Sequence, residues 1–211
     1  ISNSTYPVNV SNQTQQNKID LLYANNVTGA NKNNPNAQLQ FRHKLSKVDL
    51  KITAGTGVSS LTGLIVTYKG FNTTANLDLA TGTLAAGSNP AAIQAKTTAG
   101  TGSTTAEAIL LPTASVSGSK VEFKIGSEVY TWTLPSTTNY EAGKKYSYNI
   151  TLQEEAGNNT VVVATGNITD WIDVPSGSYI IGKDEDNGGT TDPVEQKLYE
   201  ENFGSTVVTA N

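Results

Sequence analysis

The 211-residue chain has no cysteine, no methionine and a single histidine. The missing cysteine excludes disulfides, thiolate zinc sites, cysteine catalysis and a lipid-carrying cysteine within these residues. It does not fix the compartment, because secreted and cytosolic proteins can both do without it. The missing methionine means that Ile1 is not a translation start. The expectation is a chain trimmed from a longer precursor or begun at a cloning boundary. Charge is also scarce, at 15% of residues and a net −4. A partner bound through phosphates would need a basic stripe. The one dense basic run, Arg42, His43, Lys44 and Lys47, alternates across a strand, so no nucleic-acid partner is expected. No apolar run approaches the roughly 18 residues of a membrane span. No stretch keeps helical periodicity over 11 or more residues.

Gly, Thr, Ser and Asn are abundant instead, which suits short strands and many turns. Residues 1–38 are Asn- and Gln-rich, with Tyr6-Pro7-Val8 and Ile19 to Tyr23 as short apolar exceptions. Strands are expected near Leu61–Tyr68 and Asn76–Leu79. Gly87 to Gly102 reads as a long loop or weak edge, and Ala108 to Leu111 as a buried run ended by Pro112. Val121–Ile125 and Glu128–Leu134, joined by Gly126-Ser127, form a hairpin. After a turn at Gly143, Tyr146, Tyr148, Ile150 and Leu152 alternate. Thr160–Ala164, Ile168–Trp171 and Tyr179–Ile181 complete the set. Several strands at roughly 8–12-residue spacing argue for an all-β sandwich.

The longest alternating run is Leu39 to Ile52. Leu39, Phe41, His43 and Leu45 share one face; Val48, Leu50 and Ile52 then continue in the opposite phase. A one-residue slip inverts both faces unless the backbone absorbs it. A single long strand with a bulge or kink at Ser46-Lys47, serving two sheets, is therefore expected.

Three motifs occur in order: Phe41-x-His43-x-Leu45-Ser46-Lys47-Val48, then Ala142-Gly143-Lys144-Lys145-Tyr146-Ser147-Tyr148-Asn149-Ile150-Thr151-Leu152, then Ile168-Thr169-Asp170-Trp171. The set resembles the fimbrillin-like family, as does Asp20 to Ala24 just upstream. The resemblance implies a transthyretin-like, Greek-key antiparallel β-sandwich, with Phe41, His43, Leu45, Lys47, Val48, Gly143, Tyr146, Tyr148 and Trp171 as its structural signature. It also implies a structural or adhesive, non-enzymatic surface subunit. Such subunits are exported as lipoproteins to the outer membrane, trimmed by a protease, and joined by donating a strand to a neighbour's open groove. The implied partners are other fimbrial subunits and a host or bacterial surface receptor, with no cofactor. The implied organisation is a tail of a largely missing N-terminal domain at 1–24, the sandwich at 25–181, a linker at 182–197, and a further domain or docking strand at 198–211.

The reactive readings are thin. His43, in phase with Leu39 and Phe41, reads as a hydrogen-bonded core or rim residue. Asp184-Glu185-Asp186-Asn187-Gly188 resembles the start of a calcium loop, but Val194 stands where the bidentate acid belongs, so a solvated linker is expected. No Ser-His-Asp set, Gly-x-Ser-x-Gly elbow or phosphate loop can be assigned. Asn-x-Ser/Thr triplets begin at Asn3, Asn9, Asn12, Asn26, Asn72, Asn149, Asn158 and Asn167, in a composition where many arise by chance. The main alternative is a glycan- or ligand-binding sandwich of a nutrient-uptake system, stacking sugars on Trp132, Trp171 and tyrosines. A third is a pilin of Gram-positive type held by Lys–Asn isopeptide bonds.

Overall fold

The structure is a computed structural model. It describes residues 4–25, 27–33, 35–155 and 157–171, together with the backbone of 177–180 and 207–208. Two five-stranded sheets face each other across one apolar core. The first contains β1 (Thr5–Asn9), β6 (Ile65–Asp78), β7 (Ser88–Gln94), β10 (Lys120–Ile125) and β11 (Glu128–Thr133). The second runs β13 (Asn158–Asp170), β12 (Lys144–Glu155), β5 (Ser46–Ala54), β9 (Ser103–Leu110), β8 (Lys96–Gly100). The chain crosses from one sheet to the other at Ala95, between β7 and β8.

Alternation explains most of these strands. In β5, Ser46, Val48, Leu50 and Ile52 are buried; in β12, Tyr146, Ile150 and Leu152. The β10–β11 hairpin sets Phe123 opposite Tyr130 and Val121 opposite Trp132, as its two apolar faces predict. The central strand β6 shifts register between Tyr68 and Phe71. Gly70 sits in that bulge at φ +85°, where Ser119 packs against it and Ser119 Oγ donates to its carbonyl at 3.2 Å. A Cβ at Gly70 would stand 3.0 Å from Ser119 Oγ on a left-handed backbone, so the bulge favours glycine. An aromatic chain spans the core: Tyr68 edge-on to Phe71, Phe71 stacked on Tyr140, Tyr140 edge-on to Tyr146. Burial pushes the Tyr68 and Tyr140 hydroxyls well above the usual phenol range.

The sandwich is all-β and antiparallel, with an exception that periodicity does not reveal. Strands β5 and β12 run parallel, Lys47 beside Lys145 through Ala54 beside Leu152.

The Leu39–Ile52 stretch differs from expectation. It is not one bent strand but three pieces in three sheets. Asn36–Leu39 (β3) pairs with Gly177–Ile180 (β14), Arg42–His43 (β4) pairs with Leu22–Tyr23 (β2), and Ser46 begins β5. The phase slip is real and falls at Leu45-Ser46, both fully buried. The chain absorbs it by leaving one sheet for another. Phe41 is buried, yet it packs with Leu22, Ala24 and Leu39 in a small cluster apart from the main core.

The N-terminal residues also differ from expectation. Strand β1 pairs with Thr74–Asp78 of β6, and Val8, Val10, Leu21 and Tyr23 lie in the main core. Residues 5–23 therefore build the sandwich whose start the sequence reading put at residue 25. Gln13 is buried, and its amide acts as a piece of backbone. Nε2 donates to the Ile109 carbonyl at 2.9 Å, and Oε1 accepts from the Ile109 N–H at 2.9 Å. Gln16, opening the single helical turn α1 (Gln16–Ile19), donates to the Glu107 carbonyl at 2.9 Å. Gly87 to Gly102, read as a loop or weak edge, forms β7 and β8, with β8 exposed throughout.

The strand expected at Tyr179–Ile181 is met by the backbone of β14. Val207–Val208 (β15) runs parallel to β2. The 182–197 linker, with its Asp184–Gly188 run, lies outside the described residues.

Candidate functional site

The three motifs meet at one end of the second sheet. His43 is placed by the pairing of β4 with β2 and by the Lys44 N–H, which donates to the Leu21 carbonyl at 2.8 Å. Its Nδ1 lies 2.9 Å from Asp20 Oδ1, with both side chains largely buried. The imidazole stacks on the Trp171 indole, centroids 3.9 Å apart and planes 4° from parallel.

Gly143 closes the corner. Its N–H donates to the Leu45 carbonyl at 2.9 Å, and its carbonyl accepts from the Trp171 N–H at 2.8 Å. It has φ +70°, and a Cβ would stand 3.3 Å from the His43 carbonyl. One residue thus ties the first motif to the third, and glycine is the residue that fits. Ser46 Oγ donates to the Glu141 carbonyl at 2.6 Å, and the Tyr146 hydroxyl accepts from the Glu141 N–H at 2.8 Å. Leu45 and Val48 point into the core.

Charges form a row on the outer face of the same sheet. Asp49 and Glu107 are direct cross-strand neighbours, a repulsive placement. Lys47 Nζ neutralises it, 2.8 Å from Glu107 and 3.7 Å from Asp49, while Lys145 Nζ lies 2.7 Å from Asp49. Burial pulls the Lys47 ammonium down, but its bond to Glu107 and the flanking carboxylates outweigh that, leaving it above the usual lysine value. At the end of β13, Lys144 bonds to Asp170 and holds that carboxyl below its ordinary range.

Eight of the nine signature residues lie in this corner or its sheet, while Phe41 packs in the separate cluster with Leu22, Ala24 and Leu39. Tyr148 is half-buried and meets Trp132 edge-on at 5.1 Å. Trp132 thus meets Tyr148 while Trp171 stacks on His43, each indole packed against a different ring. A cavity of about 470 Å³ on the outer face is lined by Asp49, Leu50, Lys51, Glu107, Tyr148 and Asn167, among others. Among the described residues, no three His, Asp or Glu side chains converge as metal ligands. Within them, no helix is long and apolar enough to cross a membrane.

The sequence reading missed Asp20, Gln13 and Glu141, which hold the corner and the neighbouring strand. Asp20 was visible only as part of an Asp-Leu-Leu-Tyr-Ala segment.

Residues 1–171 match the model of the fimbrillin-like family, all three motifs included. The chain belongs to the fimbrillin-like family. A curated relative is 32% identical over 180 residues, covering 80% of this chain and 56% of its own length; it is a candidate fimbrium subunit, Fim1C, of Bacteroides uniformis. This chain thus spans about half the length of that relative. Two solved structures share the fold, both candidate cell adhesion proteins. That of Bacteroides uniformis is 30% identical, with TM-score 0.67, covering 80% of this chain and 67% of its own. That of Bacteroides ovatus is 28% identical, with TM-score 0.62, covering 80% and 61%.

Proposed function

We propose that this fimbrillin-like chain is a structural or adhesive subunit of a surface appendage, acting without catalysis and joined to other subunits by strand donation. The observation that carries the reading is the use made of the signature residues. His43, Gly143 and Trp171 lock chain segments about a hundred residues apart into one corner, as a building block requires. Family membership and the fimbrium-subunit relative support the same role and a cell-surface location, in this reading associated with the outer membrane after export as a lipoprotein.

For strand donation, β1 is the segment whose loss would open a slot. It is five residues long, covers Thr74–Asp78 of β6, and carries Val8 into the core next to Val10. Removing it would bare both a hydrogen-bonding edge and an apolar groove, the two features a donated strand fills.

The test uses an antibody raised against this chain. Intact producing cells should label at the surface, and appendages sheared from them should give a ladder resistant to detergent. A protein confined inside the cell, or one that runs only as a monomer in sheared material, would overturn the reading.

A further inference from the structure

The stretch that carries the first motif has two faces, and the fold uses one of them. Ala37, Phe41, His43 and Leu45 are buried. Gln38, Gln40, Arg42 and Lys44 alternate with them, all exposed except the half-buried Lys44. Together with Tyr23, Asn25 and Val27 they line a cavity of about 330 Å³.

Its base is held in place by the fold. Arg42 stands opposite Tyr23 in the β4–β2 pair. The Tyr23 hydroxyl donates to the Leu79 carbonyl at 3.2 Å, and its ring lies so close to Gly82 that a Cβ there would stand 2.3 Å away. The Lys44 ammonium sits 5.7 Å from the centre of that fixed ring. Arg42 Nη2 donates to Gln40 Oε1 at 3.2 Å.

Charge sets the cavity apart. Lys47, Lys69, Lys144 and Lys145 each pair with a carboxylate. Among the described residues, neither Arg42 nor Lys44 forms an ion pair, and no carboxylate lines the cavity. Burial therefore acts on Lys44 unopposed and lowers its ammonium below the usual lysine value, the reverse of Lys47. A half-buried cation without a counter-charge is stabilised by an anion brought from outside.

We propose that this cavity binds an acidic saccharide, through one sugar ring bearing a carboxylate or a sulfate. Arg42 takes two oxygens of the anionic group with its planar fork, and Lys44 adds a point charge. The amides of Asn25, Gln38 and Gln40 each offer donors and an acceptor, which match the mixed character of sugar hydroxyls. Val27 supplies an apolar wall. A bare anion would leave the amides unused, and a neutral sugar would leave both cations unmatched. The volume, at the small end of ligand pockets, suits a single ring. The site gives the adhesive side of the proposed function its ligand and rests on that reading. Sugar binding by the purified chain is measured apart from surface labelling and the sheared ladder, so either can fail alone.

Methyl glucuronide and 6-sulfo-N-acetylglucosamine should be titrated into the full chain and followed by nuclear magnetic resonance. Methyl glucoside, sodium acetate and sodium sulfate serve as controls. At least one acidic sugar should bind about tenfold more tightly than methyl glucoside and than its matching salt, with shifts centred on residues 23–44. Added salt should weaken that binding. Arg42→Gln/Lys44→Gln should abolish the preference for acidic over neutral sugar. Equal binding of acidic and neutral sugars overturns the proposal, as do shifts centred elsewhere or a folded double variant that keeps the preference. Salts that bind as tightly as the sugars would reduce the cavity to a simple anion site and overturn it too. No binding by either acidic sugar has the same consequence. Binding that appears only after Asp184→Asn, Glu185→Gln and Asp186→Asn are introduced would give the cavity to that acidic run instead. If the double variant misfolds, the acidic-to-neutral comparison and the salt dependence of the native chain decide.

Discussion

The His43–Trp171 stack joins side chains from the first and last motifs, and its strength can be separated from burial. Coplanar rings at 3.9 Å contribute about 0.5–1.5 kcal/mol beyond the area they cover. His43→Ala also strips Asp20 of its partner inside a largely buried site, for a total loss of about 2–3 kcal/mol. A double-mutant cycle of His43→Ala with Trp171→Ala, read by urea unfolding, should give a coupling of about 1 kcal/mol. Additive losses would mean that the rings touch without holding each other. Gly143→Ala should cost about 1–2 kcal/mol through the left-handed backbone alone, plus the push against the His43 carbonyl. A melting temperature equal to that of the parent chain would remove Gly143 from the corner's support. The residues of this corner were legible in the sequence as motifs, because Phe41-x-His43, Gly143 and Asp170-Trp171 stand at fixed local spacings. That they touch was not, since no local pattern encodes a contact across a hundred residues.

At the scale of elements, β9 depends on side chains as well as on strands. Gln13→Ala would leave the Ile109 N–H and C=O buried without their amide partner, at a cost of about 2–3 kcal/mol. Gln13→Leu, which restores bulk but not bonding, should do no better, and recovery by Leu would point to packing instead. In the outer charge row, Glu107→Gln should cost about 1 kcal/mol or less at neutral pH. Lys47 titrates above its unfolded value of 10.5. Its contribution is therefore full below that pH and fades as pH rises through the higher folded value. Melting curves of parent and variant should differ at pH 7 and converge above 10.5. A gap that stays constant would show that Glu107 acts through something other than the lysine charge. The elements themselves were legible where alternation is regular, as in β12 from Tyr146 to Leu152 and in the β10–β11 hairpin. The Leu39–Ile52 run misled because a phase slip looks the same whether a strand bulges or the chain changes sheets. Gln13 and Gln16 gave no signal, since an amide standing in for backbone has no periodicity.

For the whole molecule, topology sets a kinetic expectation. The parallel pairing of β5 with β12 and the antiparallel pairing of β1 with β6 join segments far apart in sequence. Loops of that length must close before those contacts form. Folding followed by the fluorescence of Trp132 and Trp171 should take on the order of milliseconds to seconds. A microsecond phase carrying the full amplitude would contradict the topology. The sandwich class was readable from strand spacing, whereas the direction of β5 against β12 was not: side-chain alternation is the same for either direction.

The corner also decides where tension would travel. The chain comes into β5 past Asp20 and His43 and leaves β13 at Trp171, so both routes pass through the same knot of rings and backbone bonds. A pull between those two points would load the His43–Trp171 stack and the Gly143 bonds, which stand at the first residues of β5 and β12. Because Trp171 packs against the main core and Gly143 bonds to the buried Leu45, such a pull would load the rim of the core along with the corner.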